Sequence, residues 1–287
     1  MDALIRMQEA IDAMERLMEE RLDMEEIAKV AYMSPFHFQR MFHMITGMTV
    51  AEYTRKRKLT MAAQELALTS AKVVEIALKY GYDSPESFTK AFRKIHGIPP
   101  SEARQPGVPL KAFPRISFHL SLEGDQDMDY RIVEKEAFTV VGKSIEVTCK
   151  DGEQSREIAR QWQACHADGT IAKLGSVAAG GLLLGVCLDM KPETGDLTYM
   201  IAAEADPAKL GAGYSQRTIP SSAWAVFTAV GPVPWSIQSM FGRIFQEWFP
   251  GTGFEHSGAP EMEVYPPGDT TADDYRCEIW IPIVKKA

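Results

Sequence analysis

The sequence predicts two domains of different class: an all-α N-terminal domain that carries one two-helix motif twice, and a C-terminal α+β domain built from two strand-helix-strand-strand repeats. Three observations predict this. The 287 residues are enough for two cores at about 100–200 residues per domain. Shifting the sequence by 50 positions aligns seven residue pairs in the first hundred positions, six of them identical. The helical pattern breaks after Arg104, and beyond Asp127 strand-like runs replace it. The expected boundaries are 1–107 for the helical domain, 108–126 for a linker and 127–287 for the α+β domain.

Composition narrows the class. With 45% hydrophobic and 24% charged residues the chain matches globular proteins and not collagen-like, disordered or disulfide-scaffold classes. The longest apolar stretch, Val177 to Leu188, runs about 12 residues and contains three glycines, short of the roughly 20 that span a bilayer. The chain opens with Asp2, Arg6, Glu9 and Asp12 on an amphipathic pattern, unlike a secretory signal, so the cytoplasm is the expected compartment. Cys149, Cys165, Cys187 and Cys277 show no C-x-x-C spacing. Reduced structural thiols are expected, with no metal site and no cofactor.

The net charge of −8 argues against nucleic acid until the halves are separated. Residues 1–110 hold 15 basic and 15 acidic side chains, whereas 111–287 hold 16 and 24. From Ile27 to Arg104 there are 12 basic residues against 6 acidic ones. That local excess can hold phosphates on an otherwise acidic protein.

The aligned pairs are Ser34/Ser84, Pro35/Pro85, Phe38/Phe88, Arg40/Lys90, Phe42/Phe92, Ile45/Ile95 and Gly47/Gly97, preceded by Ile27-Ala28 and Ile76-Ala77. Ser followed by Pro starts a helix, because the hydroxyl caps free N–H groups and Pro suits the first turn. Each copy then predicts a helix of about 11 residues that ends at a glycine suited to a left-handed C-cap. Phe38, Phe42 and Ile45 share one apolar face, leaving Phe36, Gln39, Arg40 and His43 outward in the first copy and Glu86, Thr89, Lys90 and Arg93 in the second. Two short helices joined by a tight turn, the second one polar outside, describe a helix-turn-helix that can enter a major groove. Between the copies Val50 to Leu68 reads as a helix with Tyr53, Leu59, Ala62, Ala63 and Leu66 inward and a basic run, Arg55 to Lys58. An ordinary helical bundle is the alternative, and the shared offset weighs against it. The stripe Leu4, Met7, Ile11, Met14, Met18 fits either a dimer seam or the first helix packing on its own bundle; the oligomeric state stays open.

These residues resemble the DNA-binding domain of the AraC/XylS family of transcription regulators over 4–104. The segments around Met24–Phe42, Arg55–Leu66 and Val74–Pro100 match its blocks in order. The resemblance implies double-stranded promoter DNA and RNA polymerase as partners. It places Phe36, Gln39 and Arg40 at the base-reading positions of the first recognition helix, and Pro85, Glu86, Ser87, Thr89 and Lys90 at those of the second. Side-chain chemistry supports the first set, since Arg grips guanine O6 and N7, Gln grips adenine, and Phe contacts a thymine methyl. Pro85 lacks an N–H and Glu86 is repelled by phosphates, so the second helix is the poorer reader.

After the expected linker, which includes one possible strand at Arg115–Leu120, strands are predicted at Tyr130–Val133, Thr139–Val147, Leu182–Leu188 and Leu197–Ala203, with a helix at Ser155–His166. The order recurs with strands at Gln216–Ile219 and Trp224–Val230, a helix from Trp235 to Trp248, and strands at Met262–Tyr265 and Tyr275–Val284. A cleft between the two copies is expected.

This half resembles the GyrI-like effector-binding domain, on the strength of Ala225-Val226-Phe227 before Gly231-Pro232, Glu263-Val264-Tyr265-Pro266-Pro267-Gly268, and Glu278-Ile279-Trp280-Ile281-Pro282-Ile283. Helix-turn-helix first and sensor second is a Rob-like domain order. The resemblance places a pocket carboxylate at Glu278. Alternation in the last strand independently sets Glu278 beside Trp280. An acid in an apolar strand answers either a basic neighbour such as Arg276 or Arg243, or a cationic ligand stacked on Trp280, Tyr265, Trp224 and Tyr199. Glu263 shares the candidate role. The expected function is a DNA-binding transcription regulator whose second half binds a small lipophilic or cationic effector. Non-enzymatic function is favoured, with two rivals: a GyrI-like hydrolase using Glu278 as general base, and a DNA-bound adaptor with an inert sensor.

Overall fold

The computed structural model describes residues 2–105, 107–117, 128–149, 153–211 and 213–286, with side chains from residue 5 onward. The chain divides into two compact units, Met1–Phe38 with Thr49–Ser121, and Gln39–Met48 with Leu122–Ala287.

The helices run α1 (Asp2–Arg16), α2 (Met24–Val30), α3 (Pro35–Thr46), α4 (Val50–Leu68), α5 (Val73–Lys79) and α6 (Pro85–His96). The Ser-Pro starts behave as their chemistry demands. Ser84 Oγ accepts from the Ser87 N–H at 3.1 Å, and Ser34 Oγ from the His37 N–H at 3.3 Å. The helices that follow end at Gly97 (φ +80°) and Gly47 (φ +71°), left-handed positions that disfavour a Cβ. Phe88 and Phe92 are fully buried and pack with Leu59, Ala62, Leu66, Ile76 and Ala77 of α4 and α5. That core fixes which side of α6 faces outward. Met7, Ile11, Met14 and Met18 are buried within this single chain, so the N-terminal stripe is packed on its own bundle; Leu4 lies outside the described side chains. Part of the basic run is neutralised locally. Arg57 pairs with Glu15 at 2.7 Å and Lys56 with Glu52 at 2.6 Å, leaving less free positive charge on α4 than the sequence count suggests.

Among the described residues the C-terminal half forms one antiparallel sheet of nine strands: β1 (Tyr130–Lys135), β2 (Phe138–Thr148), β3 (Leu183–Lys191), β4 (Asp196–Glu204), β5 (Ser215–Ile219), β6 (Ser222–Val230), β7 (Phe254–His256), β8 (Glu261–Tyr265) and β9 (Arg276–Lys285). The spatial order is β1-β6-β9-β8-β3-β4-β2-β5, with β7 beside β9. Two mirrored halves, β2-β4-β3 and β8-β9-β6, meet at the β3–β8 pair, and each outer strand crosses to the opposite repeat. Helices α7 (Glu153–Ala167) and α8 (Thr170–Val177) cover β2, β3 and β4, and α9 (Trp235–Arg243) covers β6 and β9. The expected helix to Trp248 is α-helical only to Arg243 and continues as a wider π turn over Ile244–Trp248. Helix α8 and strand β7 were not expected from sequence. Of the expected strand at 115–120, residues 115–117 are irregular and 118–120 lie outside the described residues.

The opposite sheet face carries its own core of Val186, Leu188, Met200, Trp224, Val226, Met262 and Val264, with Trp280 packed against it. Strand alternation therefore supplies two distinct apolar environments, one under the helices and one on the reverse side.

Candidate functional site

The central β3–β8 pair carries a carboxylate into the helix-covered face. Tyr265 Oη donates to Glu263 Oε2 at 2.8 Å, and Tyr199 Oη donates to the same oxygen at 2.9 Å. The indole N–H of Trp162 on α7 in turn donates to Tyr199 Oη at 3.0 Å, and its ring meets Tyr265 edge-on at 5.2 Å. Burial pushes the Glu263 carboxyl above the usual range, and the two hydroxyl hydrogen bonds offset this only in part. Burial also holds both tyrosines well above their ordinary value, with Glu263 adding to the effect, so they remain donors. Space for the cluster comes from Gly185, which faces Glu263 across the ladder. A Cβ there would lie 2.2 Å from Tyr199 Oη and 2.5 Å from Glu263 Oε2.

The six candidate pocket residues do not form one site. In the β8–β9 register Val264 opposes Glu278 and Glu263 opposes Ile279, and directly opposed residues share a face. Glu263, Tyr265 and Tyr199 therefore stand on the helix-covered face, while Glu278, Trp280 and Trp224 stand on the reverse. Glu278 is paired with Arg131 at 2.9 Å and accepts from the Trp280 indole at 2.9 Å. This is the ion-pair alternative, with Arg131 of β1 in place of Arg276 or Arg243, brought near by a strand crossing that the sequence did not reveal. Cations of the chain already lie by the aromatics there: Lys135 Nζ is 4.1 Å from the Phe138 ring centre and 5.9 Å from that of Trp280, and bonds Glu204 at 2.7 Å. A small cavity of about 90 Å³ adjoins them, lined by Lys135, Phe138, Leu184, Met262, Val264 and Trp280. Trp224 is fully buried, edge-on to Trp280. Trp162 was missed by sequence reasoning. Its only signal was a tryptophan on the amphipathic helix, whose N–H needs a partner when covered.

The candidate DNA-reading residues fall into two states. On α6, Pro85, Glu86, Ser87, Lys90 and Arg93 are exposed and Thr89, half-buried, bonds the Pro85 carbonyl at 2.7 Å. On α3, Phe36 and His43 are half-buried, and Gln39 and Arg40 are buried. Within the second unit Arg40 Nε donates to Glu261 Oε1 at 2.9 Å and Nη2 to Oε2 at 2.7 Å. His256 Nδ1 accepts from the Gly258 N–H, which leaves its proton on Nε2, 3.0 Å from Glu261 Oε1. Burial alone would raise the Glu261 carboxyl, but Arg40 and His256 hold it down at about 2.

The GyrI-like small molecule binding domain family matches residues 128–284, more than half of the chain. The chain belongs to that family. A helix-turn-helix domain family matches residues 27–106, so an AraC-type domain precedes the GyrI-like one. The Transposon Tn10 TetD protein of Escherichia coli is 43% identical over 91 residues, 32% of this chain and 66% of that protein. The transcriptional activator AarP of Providencia stuartii is 44% identical over 81 residues, 28% and 60% of the two chains. The right origin-binding protein of Escherichia coli strain K12 is 36% identical over 88 residues, 31% and 30%. The chain thus spans between 30% and 66% of the length of these relatives. Among solved structures, SAV2435 bound to tetraphenylphosphonium is 32% identical with a TM-score of 0.49, covering 55% of this chain and 94% of that one. No helix among the described residues is long and apolar enough to cross a membrane.

The raised Glu263 carboxyl has a thermodynamic consequence. The folded protein keeps this proton to a higher pH than the unfolded chain does, so its contribution to stability falls as pH rises from the ordinary glutamate value through the raised one. Glu263→Gln removes that loss. Denaturant unfolding of both proteins between pH 4 and pH 8 is expected to show the variant gaining stability relative to wild type across this window, then levelling off; a pH-independent difference would contradict the buried, uncompensated carboxyl.

Proposed function

We propose that the chain is a one-component transcription regulator: the AraC-type helices bind promoter DNA in contact with RNA polymerase, and the GyrI-like domain takes a small lipophilic cation at Glu263. The observation that carries the ligand reading is the pairing of Glu263 with neutral groups. Its partners are two tyrosine hydroxyls, which donate hydrogen bonds but bring no positive charge, and Trp162 adjoins both tyrosines. A planar or aryl cation satisfies both features, neutralising the acid and stacking on the rings. Glu278 is the weaker candidate, since Arg131 already answers it. A hydrolytic role for Glu263 needs an attacking water on the carboxylate, and Oε2 is already held by two hydroxyls, which favours a binding function over an enzymatic one. On the DNA side, α6 offers exposed Lys90, Arg93 and Lys94 from a helix anchored by Phe88 and Phe92.

Two measurements test the reading. Calorimetry with tetraphenylphosphonium and with neutral triphenylphosphine oxide is expected to show that Glu263→Gln weakens the cation by about 2–5 kcal/mol, the range for truncating one partner of a buried charge pair, and leaves the neutral compound little changed. Equal losses for both would make Glu263 a structural residue, and loss only on Glu278→Gln would move the site to the other face. For DNA, Arg93→Ala is expected to weaken binding to random-sequence duplex and to lower the slope of log K against log salt by about one. An unchanged slope would remove Arg93 from the phosphate contacts.

A further inference from the structure

We propose that Glu261 is an internal competitor for DNA, holding the fork of Arg40 that the first recognition helix would otherwise offer to a guanine. The two-point grip, Nε to Oε1 at 2.9 Å and Nη2 to Oε2 at 2.7 Å, uses the same parallel donors that a bidentate contact to guanine O6 and N7 requires. One guanidinium fork serves one such acceptor at a time. Glu261 is 1% exposed, and His256 supplies a further donor at 3.0 Å. The ring centre of Phe245 lies 5.2 Å from the Arg40 guanidinium carbon. Gln39 and His43, the flanking candidate readers, line a small pocket with Arg40, Cys149, Met190 and Pro192. On α3 Gln39 and Arg40 are therefore buried within the second unit, whereas on α6 Lys90 and Arg93 are exposed. Nothing in the helix itself requires this difference, since the two copies share their caps and their buried phenylalanines.

The position of Glu261 ties the contact to the effector. It lies two residues from Glu263 on β8, on the same face, about 7 Å along the strand, and Cys187 opposes it in the ladder just as Gly185 opposes Glu263. On the effector reading given above, a cation received at Glu263 also attracts the Glu261 carboxylate two residues away and competes with Arg40 for it, which releases Arg40 for DNA.

The test uses the full chain and a random-sequence duplex library, with the bound fraction sequenced. Glu261→Gln is expected to bind the library about tenfold more tightly than wild type and to enrich a guanine-containing motif, and Glu261→Gln combined with Arg40→Ala is expected to lose both gains. Equal affinity and an equal motif for folded Glu261→Gln and wild type would overturn the proposal. Because the variant strands Arg40 and could fail to fold, hydrogen exchange on the wild type gives a second reading. Saturating duplex should speed exchange of the amides at 256–263, and unchanged protection with DNA bound would overturn the proposal. Tetraphenylphosphonium binding to wild type reports on the effector reading alone; its absence would sink that reading and leave the comparison of Glu261→Gln with wild type intact.

Discussion

Burying negative charge on strand β8 is the constraint around which the second unit is arranged. Glu261 and Glu263 point into the same covered face of a sheet whose neighbouring positions are apolar, and an ionised carboxylate there needs a partner of matching charge or donors enough to replace water. The two acids meet that demand differently. Glu261 has a guanidinium and a histidine and stays ionised; Glu263 has two phenols and is pushed toward its neutral form. Among the described residues, charge complementarity is complete at one acid and missing at the next acid on that face.

The surrounding fold follows from supporting that strand. Gly185 leaves room where a side chain would collide with Tyr199 and Glu263. Tyr199 comes from β4 and Tyr265 from β8 itself, and Trp162 reaches down from α7 to donate to the Tyr199 hydroxyl. Three elements thus converge on one carboxylate oxygen through a chain of hydrogen bonds. Removing the Trp162 link would leave Tyr199 bonded but its orientation set only by packing, so α7 position and carboxylate environment are coupled. In the helical unit the equivalent organising feature is the paired phenylalanines of α6, whose burial fixes the outward orientation of Lys90 and Arg93.

Much of this was legible in the sequence where local chemistry decides structure. The Ser-Pro starts, terminal glycines and phenylalanine spacing placed both recognition helices, and the inner helix from Val50 to Leu68 has the expected ends, because capping and amphipathic periodicity are properties of a few adjacent residues. The alternation of β9 correctly put Glu278 beside Trp280. What it could not supply was the register of β9 against β8, which decides that Glu263 and Glu278 look in opposite directions, or the crossing of β1 to β6, which delivers Arg131 to Glu278. Arg40 shows the same limit from the other side. Its place on the outward face of a helix was readable, while a partner 221 residues away in sequence was not. Helix α8 lies between the expected helix ending at His166 and the apolar stretch starting at Val177, a span the sequence reading left unassigned, and the three-residue β7 is too short for alternation to register.

The most direct measurement is carbon NMR of glutamate side-chain carboxyls, assigned through Glu261→Gln, Glu263→Gln and Glu278→Gln, titrated with acid and then with tetraphenylphosphonium at neutral pH. The expected result is that Glu263 titrates above the ordinary glutamate range while Glu261 stays ionised down to about 2, and that the cation moves the Glu263 carbon toward its ionised position. Glu261 and Glu263 titrating together near the ordinary value, or a cation-induced shift at Glu278 with none at Glu263, would contradict the assignment of the uncompensated charge to β8.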